Sequence, residues 1–107
     1  MNPFVPLSGV EEKEIIKGFF GKMIHTDNMT VAHFRVLAGS ELPEHHHVHE
    51  QVTNVLSGEL EMTVNGKTHV CKAGEVIVIP SNVPHSARAL TDCRLVDVFQ
   101  PAREDYK

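Results

Sequence analysis

Gly39-Ser40-Glu41-Leu42-Pro43-Glu44-His45-His46-His47-Val48-His49-Glu50-Gln51, running on to Gly58, is the stretch from which the rest of the chain is read. Four histidines fall within five residues here. Side chains of an extended chain alternate between faces. One strand through this stretch therefore places His45, His47, His49 and Gln51 on one face, and His46 and Glu50 on the other. Imidazole nitrogens suit zinc, copper, iron and nickel, and an amide oxygen can complete such a set. A purification tag is terminal and uninterrupted, whereas this run is internal and flanked by glycines. Dense histidine clusters away from tags bind metal. His85 stands alone after Pro80-Ser81-Asn82-Val83-Pro84 and is read as a ligand brought in by a second strand. His49 has the right parity, but its role is open between a ligand and a group facing substrate or supporting the ligands.

Outward from this stretch, short runs of strand-forming residues repeat with turns every eight to twelve residues. Phe19 to His25, Met29 to Leu37, Gln51 to Leu56, Leu60 to Val64, Lys67 to Cys71, Val76 to Ile79, His85 to Leu90 and Cys93 to Gln100 all read as strands. Glu14 to Lys17 is either an opening strand or one helical turn. Asn65-Gly66 is the strongest hairpin signal, because both residues tolerate the positive φ of a type I′ turn. The unbroken apolar run Val76-Ile77-Val78-Ile79 predicts a strand buried on both sides. About nine short strands and no long helix predict an all-β jelly-roll barrel of two sheets with ligands at its mouth. Residues 1–9 form a loose or exchanged segment, 10–100 the barrel and 101–107 a polar tail.

The bulk numbers restrict function. A chain of 107 residues makes one domain, with a core burying roughly two thirds of the unfolded surface. Formal net charge is -4 and the basic residues are dispersed, which argues against nucleic acid and anionic membrane as partners. The N-terminus lacks the pattern of a secretion signal, so a cytoplasmic protein is expected. Cys71 and Cys93 match no metal-binding spacing and are read as buried free thiols. Phe4, Val5 and Leu7 could cover an exposed strand edge in a homodimer.

Two further residues carry chemistry. Asp97 lies in the apolar strand Leu95-Val96-Asp97-Val98-Phe99, where a carboxylate is costly unless it is paired or faces a cavity. Phe99 shares its face. Arg103, read by itself, is a solvated tail residue. Arg35 and Arg88 are rival partners for an acidic ligand, and Asp97 is a possible partner for Arg103.

Two spacings then carry a family resemblance. Gly39, five residues, His45, one residue, His47, three residues, Gln51, six residues, Gly58 resembles the first cupin motif. Gly74, five residues, Pro80, one residue, Asn82, two residues, His85 resembles the second. Gln51 stands where glutamate is commoner, Asn82 where glycine is usual, and Ala89 where asparagine is usual. His47-Val48-His49-Glu50-Gln51, Ile79-Pro80-Ser81-Asn82-Val83-Pro84-His85 and Val96 through Tyr106 resemble the KdgF-type cupins of pectin and alginate breakdown. That resemblance implies a cupin double-stranded β-helix and one divalent transition metal (nickel, zinc, manganese or iron) on His45, His47, Gln51 and His85. It also implies linearisation of unsaturated monouronates to 5-keto-4-deoxyuronate-type products. Asp97, Phe99 and Arg103 match the family's functional aspartate, phenylalanine and arginine, and the implied partner is a small acidic sugar. Cupins host many functions. A metal-dependent dioxygenase and a non-catalytic sugar-binding or sensor module are the alternatives.

Overall fold

Inward–outward alternation along the central strands builds the structure, a computed structural model that describes residues 2–107. The ten strands among the described residues are β1 (Glu12–Ile16), β2 (Phe19–His25), β3 (Thr30–Val36), β4 (Glu41–His45), β5 (Glu50–Ser57), β6 (Glu59–Val64), β7 (Lys67–Lys72), β8 (Val76–Ile79), β9 (His85–Ala89) and β10 (Cys93–Gln100). Short 3-10 turns cover Leu7–Gly9 and Glu104–Tyr106. Glu14 to Lys17 thus contributes to an opening strand, β1, which raises the strand count from the expected nine to ten.

Two antiparallel sheets face each other, in the orders β1-β2-β3-β10-β5-β8 and β4-β9-β6-β7. This is the all-β jelly-roll barrel expected from the sequence. In β3, Thr30, Ala32, Phe34 and Val36 point inward, while Val31, His33 and Arg35 point out. In β10, Cys93, Leu95, Asp97 and Phe99 point inward. Phe34, Val36, Val55, Leu60, Ile79 and Leu95 fill the space between the sheets. Full burial of a side chain of this size contributes about 1.5–3 kcal/mol. Cys71 and Cys93 are buried and free.

Turn chemistry follows the sequence. Asn65 and Gly66 adopt φ of 50° and 79°, as a type I′ turn demands. Asn82 takes φ of 62°, which explains how asparagine serves where a glycine is usual. Gly58 has φ of 85°, and a Cβ there would press on the Asp92 carbonyl oxygen and lie 2.9 Å from Cys93 Sγ.

Three expectations need correction. The histidine stretch is not one strand. His45 ends β4 in the smaller sheet, His46 to His49 form a loop, and Gln51 lies in β5 of the larger sheet. Pro43 has no N–H to give the ladder, the register with β9 breaks between Leu42 and His45, and after His45 the chain crosses between sheets. Nor is β8 buried on both faces. It is an edge strand, with Val76 and Val78 56% and 67% exposed. A continuous apolar run does not by itself distinguish a doubly buried strand from one whose outer face lies on an apolar surface. Finally, the tail is not uniformly solvated, because Ala102 and Arg103 are buried.

The outer surface near β8 is unusual. Ile24, Val31, Val98, Val52 and Val78 pair directly across β2, β3, β10, β5 and β8, giving five aliphatic side chains in one transverse row. Among the described residues, no helix is long and apolar enough to cross a membrane.

Candidate metal centre and its cavity

The register of β3, β10 and β5 sets out one wall of the site. Ala32, Asp97 and Thr53 form one inward row, and Thr30, Phe99 and Gln51 form the next. The facing sheet supplies the other wall, where His45 pairs with His85 across β4 and β9. His47 enters from the loop between β4 and β5. The β4–β9 pairing therefore brings together two histidines 40 residues apart in sequence, and Gln51 lines the same cavity from the other sheet.

One ring nitrogen from each of His45, His47 and His85 lies within 4.8 Å of the others. The opposite nitrogens have a common arrangement. Nδ1 of His45 meets the Pro43 carbonyl at 2.9 Å, Nδ1 of His47 the His49 carbonyl at 3.0 Å, and Nδ1 of His85 the Val83 carbonyl at 2.9 Å. A carbonyl can only accept, so each Nδ1 carries the proton and each Nε2 presents a lone pair. Burial, with the positive charge of Arg103 adding to it, lowers the His47 pKa. Burial lowers His85 to about 4. Both rings are neutral at neutral pH, which is the ligating form.

Two details test whether a cation fits. Nε2 of His85 is buried with no hydrogen-bond partner. Nε2 of His47 lies 3.1 Å from Oε1 of Gln51, while the Gln51 amide nitrogen donates to Thr53 Oγ1 at 2.9 Å. His47 Nε2 and Gln51 Oε1 are then two acceptors facing each other, an unfavourable contact that one shared cation relieves. Three imidazoles and a neutral amide oxygen suit a divalent transition metal. His49 is not part of this group. Its carbonyl orients His47, and its ring stands 6.4 Å from that of Phe99.

Asp97 faces the same cavity, 7% exposed, with Oδ1 lacking any partner. Burial raises its pKa from 3.8 to about 7, opposed by the side chains of Thr53 and Gln51 and the charge of Arg103. The cavity has a volume of about 60 Å³ and is lined by His45, Gln51, Thr53, His85, Asp97, Phe99, Arg103 and Tyr106, with apolar residues such as Phe34 and Leu60 beyond.

Arg103 is 9% exposed and lines the cavity. Its backbone N–H donates to Thr30 Oγ1 at 2.8 Å. Its guanidinium lies over Phe99 at 4.7 Å and over Tyr106 at 4.0 Å. Its partner is not Asp97 but Asp105, held through Nε to Oδ1 at 3.0 Å and Nη2 to Oδ2 at 2.8 Å. Arg35 and Arg88 pair instead with Glu12 and Glu61, and neither lines the cavity. Thr53, Asp105 and Tyr106 escaped the sequence reading. Thr53 shares the parity of Gln51 and could have been found that way. Asp105 and Tyr106 lie in the segment that carries the family resemblance and beside Arg103, but nothing in a short polar tail announces that it folds back.

Residues 32–99 match the cupin domain family. A pectin degradation protein, KdgF, of Dickeya dadantii (strain 3937) is 29% identical over 65 residues, which are 60% of this chain and 59% of that protein. The match thus spans less than two thirds of the relative's length. Among solved structures, an RmlC-like cupin from Shewanella frigidimarina NCIMB 400 superposes with a TM-score of 0.94 at 30% identity, over 100% of this chain and 97% of the other. KdgF from Halomonas sp. gives a TM-score of 0.92 at 24% identity, over the whole of both chains. The family match takes in well over half of the sequence and both of the histidine-bearing segments, and this chain belongs to the cupin family.

Proposed function

We propose that this cupin linearises unsaturated monouronates, opening the ring and tautomerising the product to a 5-keto-4-deoxyuronate. The observation that carries this reading is the convergence, on one small cavity, of a transition-metal ligand set with a buried carboxylate and a buried guanidinium. His45, His47, His85 and Gln51 would hold a single divalent cation (nickel, zinc, manganese or iron). When bound, that cation supplies a Lewis acid that stabilises negative charge on a substrate oxygen.

Asp97 is placed to move the proton. Its pKa of about 7 lets it accept and return a proton at neutral pH, where an ordinary aspartate is only a weak base. As the anomeric hydroxyl gives up its proton and becomes a carbonyl, the bond from the anomeric carbon to the ring oxygen breaks and leaves an enolate; protonation of that enolate at carbon gives the ketone. Asp97 takes the first proton and returns one to carbon, so it ends unchanged. Arg103 offers a planar fork to the uronate carboxylate. Phe99 forms the apolar wall that excludes water on that side. KdgF of Dickeya dadantii, a pectin degradation protein by name, is the relative that supports the sugar class.

The test is to incubate the metal-loaded protein with monouronates released by a polysaccharide lyase and follow them by NMR. Faster appearance of the open-chain keto product than in buffer supports the proposal, and Asp97→Ala should lose the acceleration with metal still bound. Equal rates with and without protein would refute it, and oxygen consumption in its place would assign the site to a dioxygenase.

We also read the aliphatic row on the larger sheet as a homodimer face. Five strands about 4.8 Å apart give it a width of about 20 Å. On β8 it runs on into exposed Val76, and on β5 the polar Asn54 separates it from exposed Leu56. An exposed apolar row of this breadth is the kind of surface that two copies related by a two-fold axis cover.

A further inference from the structure

We propose that Asp105 is a built-in substitute for the ligand's carboxylate, and that the turn Glu104–Tyr106 is a strap which an acidic ligand displaces by taking over the Arg103 fork. This rests on the reading of Arg103 as the carboxylate-binding residue.

The geometry of the pair is that of a bound carboxylate. Both Asp105 oxygens are engaged by one guanidinium, at 3.0 and 2.8 Å. The two partners differ in what they lose on separation. The Asp105 side chain is 59% exposed and the Arg103 side chain 11% exposed. Water can replace Arg103 around Asp105, but a buried guanidinium left without an anion is strongly disfavoured. Exchange for another carboxylate is therefore favoured over simple opening, and a neutral sugar has nothing to offer the fork.

The hinge is equally well defined. The Arg103 backbone is tied to buried Thr30. Beyond it, the strap's backbone is held by two turn hydrogen bonds, Tyr106 N–H to the Arg103 carbonyl at 3.1 Å and Lys107 N–H to the Glu104 carbonyl at 3.2 Å. The strap also walls the site: Tyr106 lines the cavity and packs edge-on against Phe99 with ring centroids 5.8 Å apart. At about 60 Å³ the cavity has room for roughly four to six water-sized centres. A six-carbon sugar acid needs more, and moving Tyr106 outward provides it. Asp105 thus acts as a specificity-determining residue: it makes the site open for anions.

Tyr106 is the only tyrosine and the chain has no tryptophan, so tyrosine emission reports on the strap alone. The experiment titrates zinc-loaded protein with D-galacturonate, and in parallel with D-galactose, and measures acrylamide quenching of Tyr106. Galacturonate should raise the quenching saturably and galactose should not. Asp105→Asn, which keeps the shape and removes the competing charge, should bind galacturonate roughly fivefold tighter, with Tyr106 already more quenchable before ligand. Asp105→Ser repeats the test should the asparagine variant fold poorly. Unchanged or weaker affinity in both variants, or a Tyr106 indifferent to bound galacturonate, overturns the proposal. Galacturonate is saturated and is not consumed by the proposed reaction, which separates the two ideas. Strap release without turnover of lyase products removes the reaction and keeps the strap; turnover with a motionless strap removes the strap alone.

Discussion

Replacing Asp97 by asparagine should stabilise the metal-free protein, and by an amount that depends on pH. The folded chain holds the Asp97 proton up to about pH 7, whereas the unfolded chain releases it near 3.8. The stability that this raised pKa contributes is fully present below 3.8 and is lost as pH rises through 7. At about 1.4 kcal/mol for each pH unit, burying the charged form costs up to about 4 kcal/mol. Asparagine matches the protonated acid in shape and never ionises. Urea unfolding in the presence of a chelator should find parent and Asp97→Asn similar at pH 4, with the variant more stable by about 2–4 kcal/mol at pH 8. His47 and His85, whose pKa values burial depresses, titrate in the opposite sense over part of this range. They are common to both proteins and cancel in the difference. A difference that is flat with pH, or a variant less stable than the parent at pH 8, would refute the reasoning that Asp97 sits desolvated and unpaired in the cavity.

Three further outcomes are expected. Thr53→Val keeps the volume but removes the acceptor that orients the Gln51 amide, so metal affinity by calorimetry should fall roughly tenfold with the fold retained; unchanged affinity would discard Gln51 as an oriented ligand. Gly58→Ala forces a Cβ toward the Asp92 carbonyl at positive φ and should cost roughly 2–4 kcal/mol in chemical denaturation; a loss below about 1 kcal/mol would contradict the close approach. Val98→Lys at the centre of the aliphatic row should shift sedimentation from dimer to monomer without altering metal binding; a parent that sediments as a monomer would dismiss that face as a homodimer surface.

The succession of strands along the chain and the identity of its ligand-bearing segments were legible because both depend on local rules. Period-two alternation marked β3 and β6, and Asn65-Gly66 and Asn82 marked backbone turns whose φ the structure reproduces. His45, His47, Gln51 and His85 were legible as a group, but for a reason that proved wrong in detail. Parity along one strand placed three of them together, whereas the structure does it by crossing between sheets. His49, which has the same parity, therefore falls outside the group. Asp97 could be singled out because a carboxylate in an apolar strand is costly. The closure by Asp105 and Tyr106 was illegible, since it depends on a tertiary fold-back whose only local trace is an Arg-x-Asp spacing. The outer face of β8 misled because the apolar row extends over five strands, and no single strand reveals what covers it.

The central claim is that His45, His47, His85 and Gln51 share one cation. Crystals of the zinc- or nickel-saturated protein, measured at that metal's absorption edge, test it most directly. The account predicts one anomalous peak per chain in contact with a ring nitrogen of each of those three histidines and with the Gln51 amide oxygen. A saturated protein with no peak there, or with its peak on His46 or His49 in the loop, would contradict it.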